Sequence, residues 1–221
     1  MKKFSLLAAP LLLFLGFFAL AFAACSRSEP RIEFGSMELV YYPGEIMPEE
    51  RYSFFIIPDD DDGIENLDEL YLYHDREGLR WQINAVDWVR LELENKVWIG
   101  TRSIAMRDNE SLPRGQYRAV LVNKGGERTE RQFTFDAPET PRYPYPFFSA
   151  SDGIYRIDSQ YPQNSFICYN QEGAFVQVSH IPNPSGNIND LNLPGTVRSI
   201  ALWAEDPEYH TSALTEAVSI R

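Results

Sequence analysis

Short runs in which apolar and polar residues alternate recur along this chain, and they constrain its fold more than any other feature. Gly, Pro, Asn and Asp bound these runs, and no long stretch has the 3.6-residue period of an amphipathic helix. A period of two is typical of strands that bury one face, so the pattern predicts an all-β protein. The predicted strands are residues 32–42, 52–57, 70–74, 79–83, 88–93, 97–104, 116–122, 128–135, 153–157, 165–169, 174–180, 197–204 and 213–220.

A proline-rich segment divides these strands into two groups. Residues 137–146 contain four prolines, and proline cannot donate a hydrogen bond to a sheet ladder. We therefore predict a semi-rigid linker at residues 138–148, between a β-sandwich of residues 31–137 and a smaller all-β domain of residues 149–221. The alternative is a loop within one large domain, which the usual brevity of loops disfavours.

The N-terminus has the parts of a secretory signal peptide. Two lysines follow Met1, and a mostly apolar stretch then ends in small residues. The sequence Phe22-Ala23-Ala24-Cys25 resembles a lipobox, the cleavage and lipidation signal of bacterial lipoproteins, in the relaxed form of spirochaetal lipoproteins with Phe in place of the usual Leu. The resemblance implies a signal peptide over residues 1–24, a thioether diacylglycerol and an acylated amino group on Cys25, and a short lipidated tether over residues 25–30.

Two other interpretations of this N-terminus stay open. The apolar stretch is long enough for an uncleaved membrane anchor, and ordinary cleavage after Ala24 would leave Cys25 without lipid. Small residues directly before the cysteine and polar residues after it favour the lipoprotein. The lipid would then hold the protein on a membrane of the cell envelope, at its periplasmic face or at the cell surface, with the remaining chain outside the cytoplasm.

The charge of the chain argues against two classes of partner. The signal peptide carries two of the 20 basic residues and none of the 32 acidic ones, which leaves the mature chain with a net charge of −14. Nucleic acid and anionic lipid would both repel such a chain. Of the two cysteines, one is the proposed lipid site, so Cys168 has no intramolecular disulfide partner and is predicted to be a small buried hydrophobic residue.

One short motif indicates the type of sandwich. The sequence Leu112-Pro113-Arg114-Gly115-Gln116-Tyr117 enters a predicted strand. It resembles the turn before strand F in immunoglobulin-like and fibronectin type III-like domains, where the Tyr hydroxyl bonds back to the chain upstream as a tyrosine corner. The resemblance covers the first predicted domain and implies a fold, with no implication for activity.

The sequence shows no catalytic, metal-binding or cofactor-binding motif. Residues 59–62 are four aspartates followed by Gly63, but an EF-hand register would place Pro58 at a ligand position, so a solvated loop is favoured over a cation site. The three histidines have no zinc-like spacing, and the chain contains no nucleophile elbow and no glycine-rich phosphate loop. We therefore predict a protein that is not an enzyme and that has no cofactor.

The aromatic residues are the remaining candidates for a binding site. A stacking surface for sugars or a peptide is one interpretation of them, although packing in a core or between domains is the commoner fate of such residues. The candidate ligand-binding residues are Trp88, Trp98, Trp203, Tyr143 and Tyr145. The leading expectation is a non-enzymatic lipoprotein that binds or scaffolds another protein or glycan of the envelope. The alternatives are a carbohydrate-binding module facing cell-wall or host glycans, and a hydrolase whose dispersed carboxylates the sequence does not reveal.

Overall fold

The computed structural model describes residues 28–220, and β-strands dominate this part of the chain. The first eight strands are β1 (Arg31–Tyr42), β2 (Glu49–Asp59), β3 (Leu67–His74), β4 (Leu79–Asn84), β5 (Val89–Leu93), β6 (Lys96–Ile104), β7 (Gly115–Asn123) and β8 (Arg128–Phe135). The next eight are β9 (Phe147–Ser151), β10 (Ile154–Asp158), β11 (Gln163–Tyr169), β12 (Phe175–His180), β13 (Ser185–Asn187), β14 (Ser199–Asp206), β15 (Thr211–Leu214) and β16 (Val218–Ser219). The helices of these residues are short 3-10 turns at Ile64–Asn66, Asp75–Glu77 and Ile188–Leu191. None of them has the length and apolar character needed to cross a bilayer.

Three sheets make up the described part of the protein. The large sheet has the order β12-β11-β14-β15-β1-β2-β6-β5, with β16 paired to β14. A four-stranded sheet has the order β4-β3-β7-β8, and a three-stranded sheet has the order β13-β10-β9. The large sheet joins the two halves of the chain, because β15 pairs with β1 in parallel, with Leu39 opposite Thr211 and Tyr41 opposite Ala213.

The larger core lies between the large sheet and the four-stranded sheet. Leu39 and Phe54 of the large sheet are fully buried together with Leu72 and Tyr117 of the four-stranded sheet. Tyr117 also meets the ring of Tyr52 edge-on at 5.6 Å, which links the two sheets. Each such side chain contributes about 1.5–3 kcal/mol when it is withdrawn from water.

The smaller core lies between the large sheet and the three-stranded sheet. Phe166 of β11 contacts the rings of Phe148 and Tyr155, with both centroids at 5.2 Å, and Leu202 of β14 completes the cluster. Cys168 is fully buried here, as the sequence predicts, and burial raises the pKa of its thiol.

Both smaller sheets cover the same face of the large sheet. On β14, Leu202 belongs to the smaller core and Ala204 to the larger one. Residues two apart on a strand point to one side, so both cores lie on that side. The result is an all-β, sandwich-like fold, as the sequence predicts. The division into domains at residues 31–137 and 149–221 stays a prediction, to which the structure adds a sheet shared by the two parts.

The motif at the start of β7 has the contact that the resemblance implies. The hydroxyl of Tyr117 donates a hydrogen bond of 2.5 Å to the carbonyl oxygen of Pro113, four residues upstream. Tyr52 donates to the same oxygen at 2.8 Å. These bonds fasten the turn before β7 to the large sheet.

Candidate functional site: the concave face of the large sheet

The second face of the large sheet has no covering sheet within residues 28–220. The register of β1 and β2 places Phe34 opposite Ile57, Glu38 opposite Ser53, and Tyr42 opposite Glu49. These residues alternate with the core residues, so they point away from both cores. Ser212 and Glu205 are paired across β15 and β14 on the same face.

Several small side chains on this face are nevertheless buried. Val40 and Ala201 are 1% exposed, and Ser212 is 0% exposed. Arg102 of β6 lies on the same face, with its guanidinium carbon 5.7 Å from the ring centroid of Phe55.

The burial of Val40, Ala201 and Ser212 on a face without a covering sheet indicates that the large sheet curls towards this face. Burial raises the pKa of Tyr169 on β11. The positive charge of Arg102 on β6 acts in the opposite direction and lowers that pKa. Five strand spacings separate β11 from β6, which in a flat sheet would be about 24 Å. Charges act strongly only over about 10 Å at ordinary salt. We therefore describe this side of the large sheet as its concave face.

A cluster of polar groups lies at the centre of the concave face. Glu38 is mostly buried, and burial raises its pKa from 4.5 to about 7. The Ser212 hydroxyl lowers that pKa, Glu205 raises it and Arg102 lowers it. The Ser212 hydroxyl is fully buried and acts on Glu38 as a side-chain hydrogen-bond partner. The cluster thus holds two carboxyl groups, a guanidinium group and a buried hydroxyl.

Aromatic side chains flank this cluster. Trp203 pairs with Leu214 across β14 and β15, and Tyr42 stands beyond Leu214 on β1, next to the Tyr41–Ala213 pair. The indole N–H of Trp203 donates a hydrogen bond of 3.2 Å to Glu205, which fixes the ring beside the carboxylates. Both rings remain partly exposed.

Trp98 also lies on the concave face, but far from Trp203. Its ring meets Phe34 edge-on at 5.7 Å. Phe34 and Tyr42 are eight residues apart on β1, which is about 26 Å along the strand. The structure therefore places these two candidate tryptophans on one face without bringing them into one site.

The other candidate aromatics lie on the covered side. Trp88, Tyr143 and Tyr145 pack against the larger core. Tyr143 donates a hydrogen bond of 3.1 Å to the Asp206 carboxylate, and Tyr145 donates one of 2.6 Å to the carbonyl oxygen of Leu214. These contacts tie the proline-rich segment to β14 and β15. Cys25, the proposed lipidation site, lies outside the described residues.

A cavity of about 330 Å³ opens at one end of the four-stranded sheet, beside His74. The His74 ring lies 4.8 Å from Tyr117, and its Nε2 atom donates to the carbonyl oxygen of Arg114 at 3.2 Å. Asp75 binds Arg118 through two hydrogen bonds of 2.8 Å. Asp75 and Arg118 at this cavity are therefore paired with each other, whereas the Nδ1 atom of His74, which is 1% exposed, has no hydrogen-bond partner within the described residues.

The aspartate-rich loop is organised by its own hydrogen bonds. One Asp60 oxygen accepts from the backbone N–H of Asp62 at 2.9 Å and from the Asn66 amide at 3.2 Å. Arg31 lies 3.5 Å from Asp59 and 3.4 Å from Asp61. Within residues 28–220, no group of three or more His, Cys, Asp or Glu side chains is arranged to hold a metal ion.

The sequence pattern did not point to Glu38, Arg102, Ser212 or Glu205. Glu38 and Arg102 stand at polar positions of predicted strands, where alternation predicts simple exposure. Glu205 and Ser212 lie just outside the predicted strands 197–204 and 213–220. These side chains come together because β1 pairs with β15, and the two strands are far apart in the chain. No local pattern encodes that pairing.

Comparison with known proteins adds little. No family model and no curated protein matches this sequence. Among solved structures, Tp47, the 47-kilodalton lipoprotein of Treponema pallidum, is similar with a TM-score of 0.32 and 10% sequence identity. The match covers 86% of this chain and 51% of that one, so this chain spans about half the length of that structure. At this TM-score the likeness carries no argument about function.

Proposed function

We propose that the protein is a lipoprotein of the bacterial cell envelope that binds another envelope component on its concave face, without catalysing a reaction. The signal-peptide-like N-terminus and the lipobox-like sequence before Cys25 support the membrane anchor. The concave face carries the binding part of the proposal, because it combines partly exposed aromatic rings with a buried polar cluster and has no second sheet over it within the described residues.

The proposed tether would limit the distance between this face and the membrane. Five residues, 26–30, separate Cys25 from the start of β1 at Arg31, and they reach at most about 18 Å. Glu38 lies seven residues further along β1, which adds about 23 Å when the strand points away from the bilayer. The polar cluster would then stand within about 40 Å of the membrane and meet components of the envelope itself.

The anchor gives the first prediction. The native protein is expected to have the mass of residues 25–221 plus a diacylglycerol and one acyl group, and to partition into detergent. The Cys25→Ala variant is expected to lose the added mass and to stay in the aqueous phase. Intact-mass spectrometry and phase partitioning measure both. A native chain without lipid would contradict the anchor and make the protein a freely secreted one.

The binding face gives the second prediction. Val178 lies on the concave face opposite Ile167 and is 57% exposed, whereas Ile154 lies on the three-stranded sheet and is 47% exposed. We expect Val178→Arg to weaken sedimentation of the protein with purified envelope fragments at least fivefold, while Ile154→Arg leaves it unchanged. Equal behaviour of the two variants would contradict the concave face as the binding surface.

Carbohydrate binding is the second candidate function. It is a more specific form of the proposed binding of an envelope component. Burial of all four tryptophans would have excluded it, but all four are partly exposed, and Trp98 and Trp203 lie on the concave face. The two acids of the polar cluster, Glu38 and Glu205, also leave hydrolysis as a testable alternative.

A further inference from the structure

We propose that an apolar patch at the tether end of the large sheet docks on the surface of a neutral lipid bilayer. The patch consists of Phe34, Ile57, Leu91, Leu93 and Trp98. The proposal rests on the lipid anchor of the proposed function, and it goes further by naming the part of the protein surface that meets the membrane.

The five side chains of the apolar patch are neighbours on the concave face. Phe34 lies opposite Ile57, and the register of β2 and β6, with Ile56 opposite Ile99, places Ile57 beside Trp98. Leu91 is opposite Trp98, and Leu93 follows two residues along β5. Phe34 is 51% exposed and Leu93 is 54% exposed. A group of large apolar side chains that is open to water marks a surface that meets another apolar surface.

The start of the described chain brings the membrane to this end of the sheet. The side-chain amide of Asn123, a residue that is 2% exposed, donates a hydrogen bond of 3.1 Å to the carbonyl oxygen of Ser28. Cys25 is three residues before Ser28, and three residues reach at most about 11 Å. A lipid on Cys25 would therefore enter the bilayer close to Ser28.

The apolar patch lies within reach of that bilayer. Phe34 is three residues beyond Arg31, the first residue of β1, which is about 10 Å along the strand. Leu93 is opposite Lys96, at the end of the β5–β6 hairpin nearest the tether. A tilt of the large sheet over its concave face brings both side chains to the lipid surface, while the Tyr42 end of that face stays in solvent.

The residue types suit the boundary between lipid and water. Tryptophan has a large apolar ring with one polar N–H group, and it is enriched at the level of the lipid headgroups. Phe34 and the two leucines supply apolar surface beside it. An anchored protein also meets its own membrane at a high effective concentration, so a small apolar contact is enough to hold it down.

The charges around the apolar patch select the kind of lipid. Lys96 is bonded to Glu33 at 2.9 Å, and Arg31 lies 3.5 Å from Asp59. The loop that follows β2 adds three further aspartates at residues 60–62. This end of the sheet therefore has an excess of acidic groups, which anionic headgroups would repel and zwitterionic headgroups would not.

The test is quenching of tryptophan fluorescence by brominated lipid. The purified lipoprotein is reconstituted in phosphatidylcholine vesicles with and without bromine on the acyl chains, because bromine quenches only rings that reach those chains. We expect brominated vesicles to lower the emission of the wild type, and Trp98→Phe to remove most of this quenching. Phosphatidylglycerol added to the vesicles should weaken the quenching.

Two matched variants test the apolar patch itself. We expect Phe34→Glu to lower the quenching at least threefold. Phe175→Glu is the control, because Phe175 is 63% exposed and pairs with Tyr169 at the other edge of the large sheet, and it should behave as the wild type. Thermal unfolding shows whether each variant is folded, and Leu93→Glu on the edge strand β5 replaces Phe34→Glu if that variant is not.

Several outcomes would overturn the docking. They are a lipidated protein without quenching, quenching that Trp98→Phe leaves intact, equal loss in Phe34→Glu and Phe175→Glu, and quenching found only with anionic lipid. If quenching is absent but Phe34→Glu weakens sedimentation with envelope fragments, a partner protein covers the patch in place of the membrane. A lipidated protein that is not quenched refutes the docking alone and leaves the anchor standing, whereas a native chain without lipid refutes both.

Discussion

Replacing Glu50 by alanine is expected to lower the free energy of unfolding by about 3–5 kcal/mol, because it leaves the mostly buried guanidinium of Arg114 without its carboxylate partner. The side chains of Glu50 and Arg114 are 8% and 11% exposed. Each carboxylate oxygen accepts a hydrogen bond of 3.0 Å from a different guanidinium nitrogen, and one also accepts from the Leu112 N–H at 2.9 Å. The pair therefore fastens the turn before β7 to the edge of the larger core.

Chemical denaturation of the wild type and the variant measures this loss. The neighbouring pair of Glu49 and Arg51 provides the control, since it is joined at 3.1 Å but its side chains are 25% and 38% exposed. Partly exposed pairs contribute about 1 kcal/mol or less, so Glu49→Ala should cost far less than Glu50→Ala. The double variant Glu50→Ala/Arg114→Met should lose less than the sum of its two single variants. Equal costs for Glu49→Ala and Glu50→Ala would refute the special role of the buried pair.

The strands of this fold were largely predictable because each one buries alternate residues. The prediction for residues 128–135 matches β8 (Arg128–Phe135), and most of the other strands are recovered with ends shifted by a few residues. The missed strands are β9, which begins inside the predicted proline-rich linker, and β13, which has three residues in a loop rich in Pro, Gly and Asn. The predicted strand 213–220 is divided into β15 and β16. Such short or proline-flanked strands owe their conformation to pairing with β10 and not to their own pattern.

Local sequence patterns could not predict that one sheet runs across both halves of the chain. The prolines of residues 138–148 indicate a break between two groups of strands, and the two cores do lie on either side of it. The parallel pairing of Leu39 with Thr211 nevertheless carries one sheet across both groups. Alternation specifies which face of a strand is buried, but it does not specify which strand pairs with it. The pairing of strands so distant in sequence therefore depends on the whole fold.

Only the aromatic residues of the candidate site were predictable from the sequence, whereas its polar residues and its location were not. Aromatic residues were expected to form it, and Trp203 does lie beside the polar cluster. Tyr143 and Tyr145 share the same composition signal but bond to Asp206 and to the Leu214 carbonyl on the covered side. An aromatic ring on a strand faces the core or the open face according to how that strand pairs with its neighbours. The neighbours are distant in the chain, so the sequence alone does not reveal which face the ring takes.

Glu38 gives the second large prediction, a dependence of stability on pH that Glu38→Gln removes. Burial raises the pKa of Glu38 from 4.5 to about 7, so between these values the folded state binds more protons than the unfolded state. The stability that protonated Glu38 contributes is therefore fully present below pH 4.5, falls as the pH rises towards 7, and is lost above it. At 1.36 kcal/mol for each pKa unit, the total change is about 3 kcal/mol.

Glutamine at position 38 keeps the size and polarity of the side chain but cannot ionise. We expect Glu38→Gln to be more stable than the wild type at pH 8, by up to about 3 kcal/mol, and to differ little from it at pH 4.5. Denaturation curves across this range measure the slope directly. Glu33→Gln, on the same strand but 44% exposed and paired with Lys96 at 2.9 Å, should keep the wild-type slope. If the wild-type slope of stability against pH survives in Glu38→Gln, another group causes the dependence. That result would contradict a raised pKa for the buried carboxyl of Glu38.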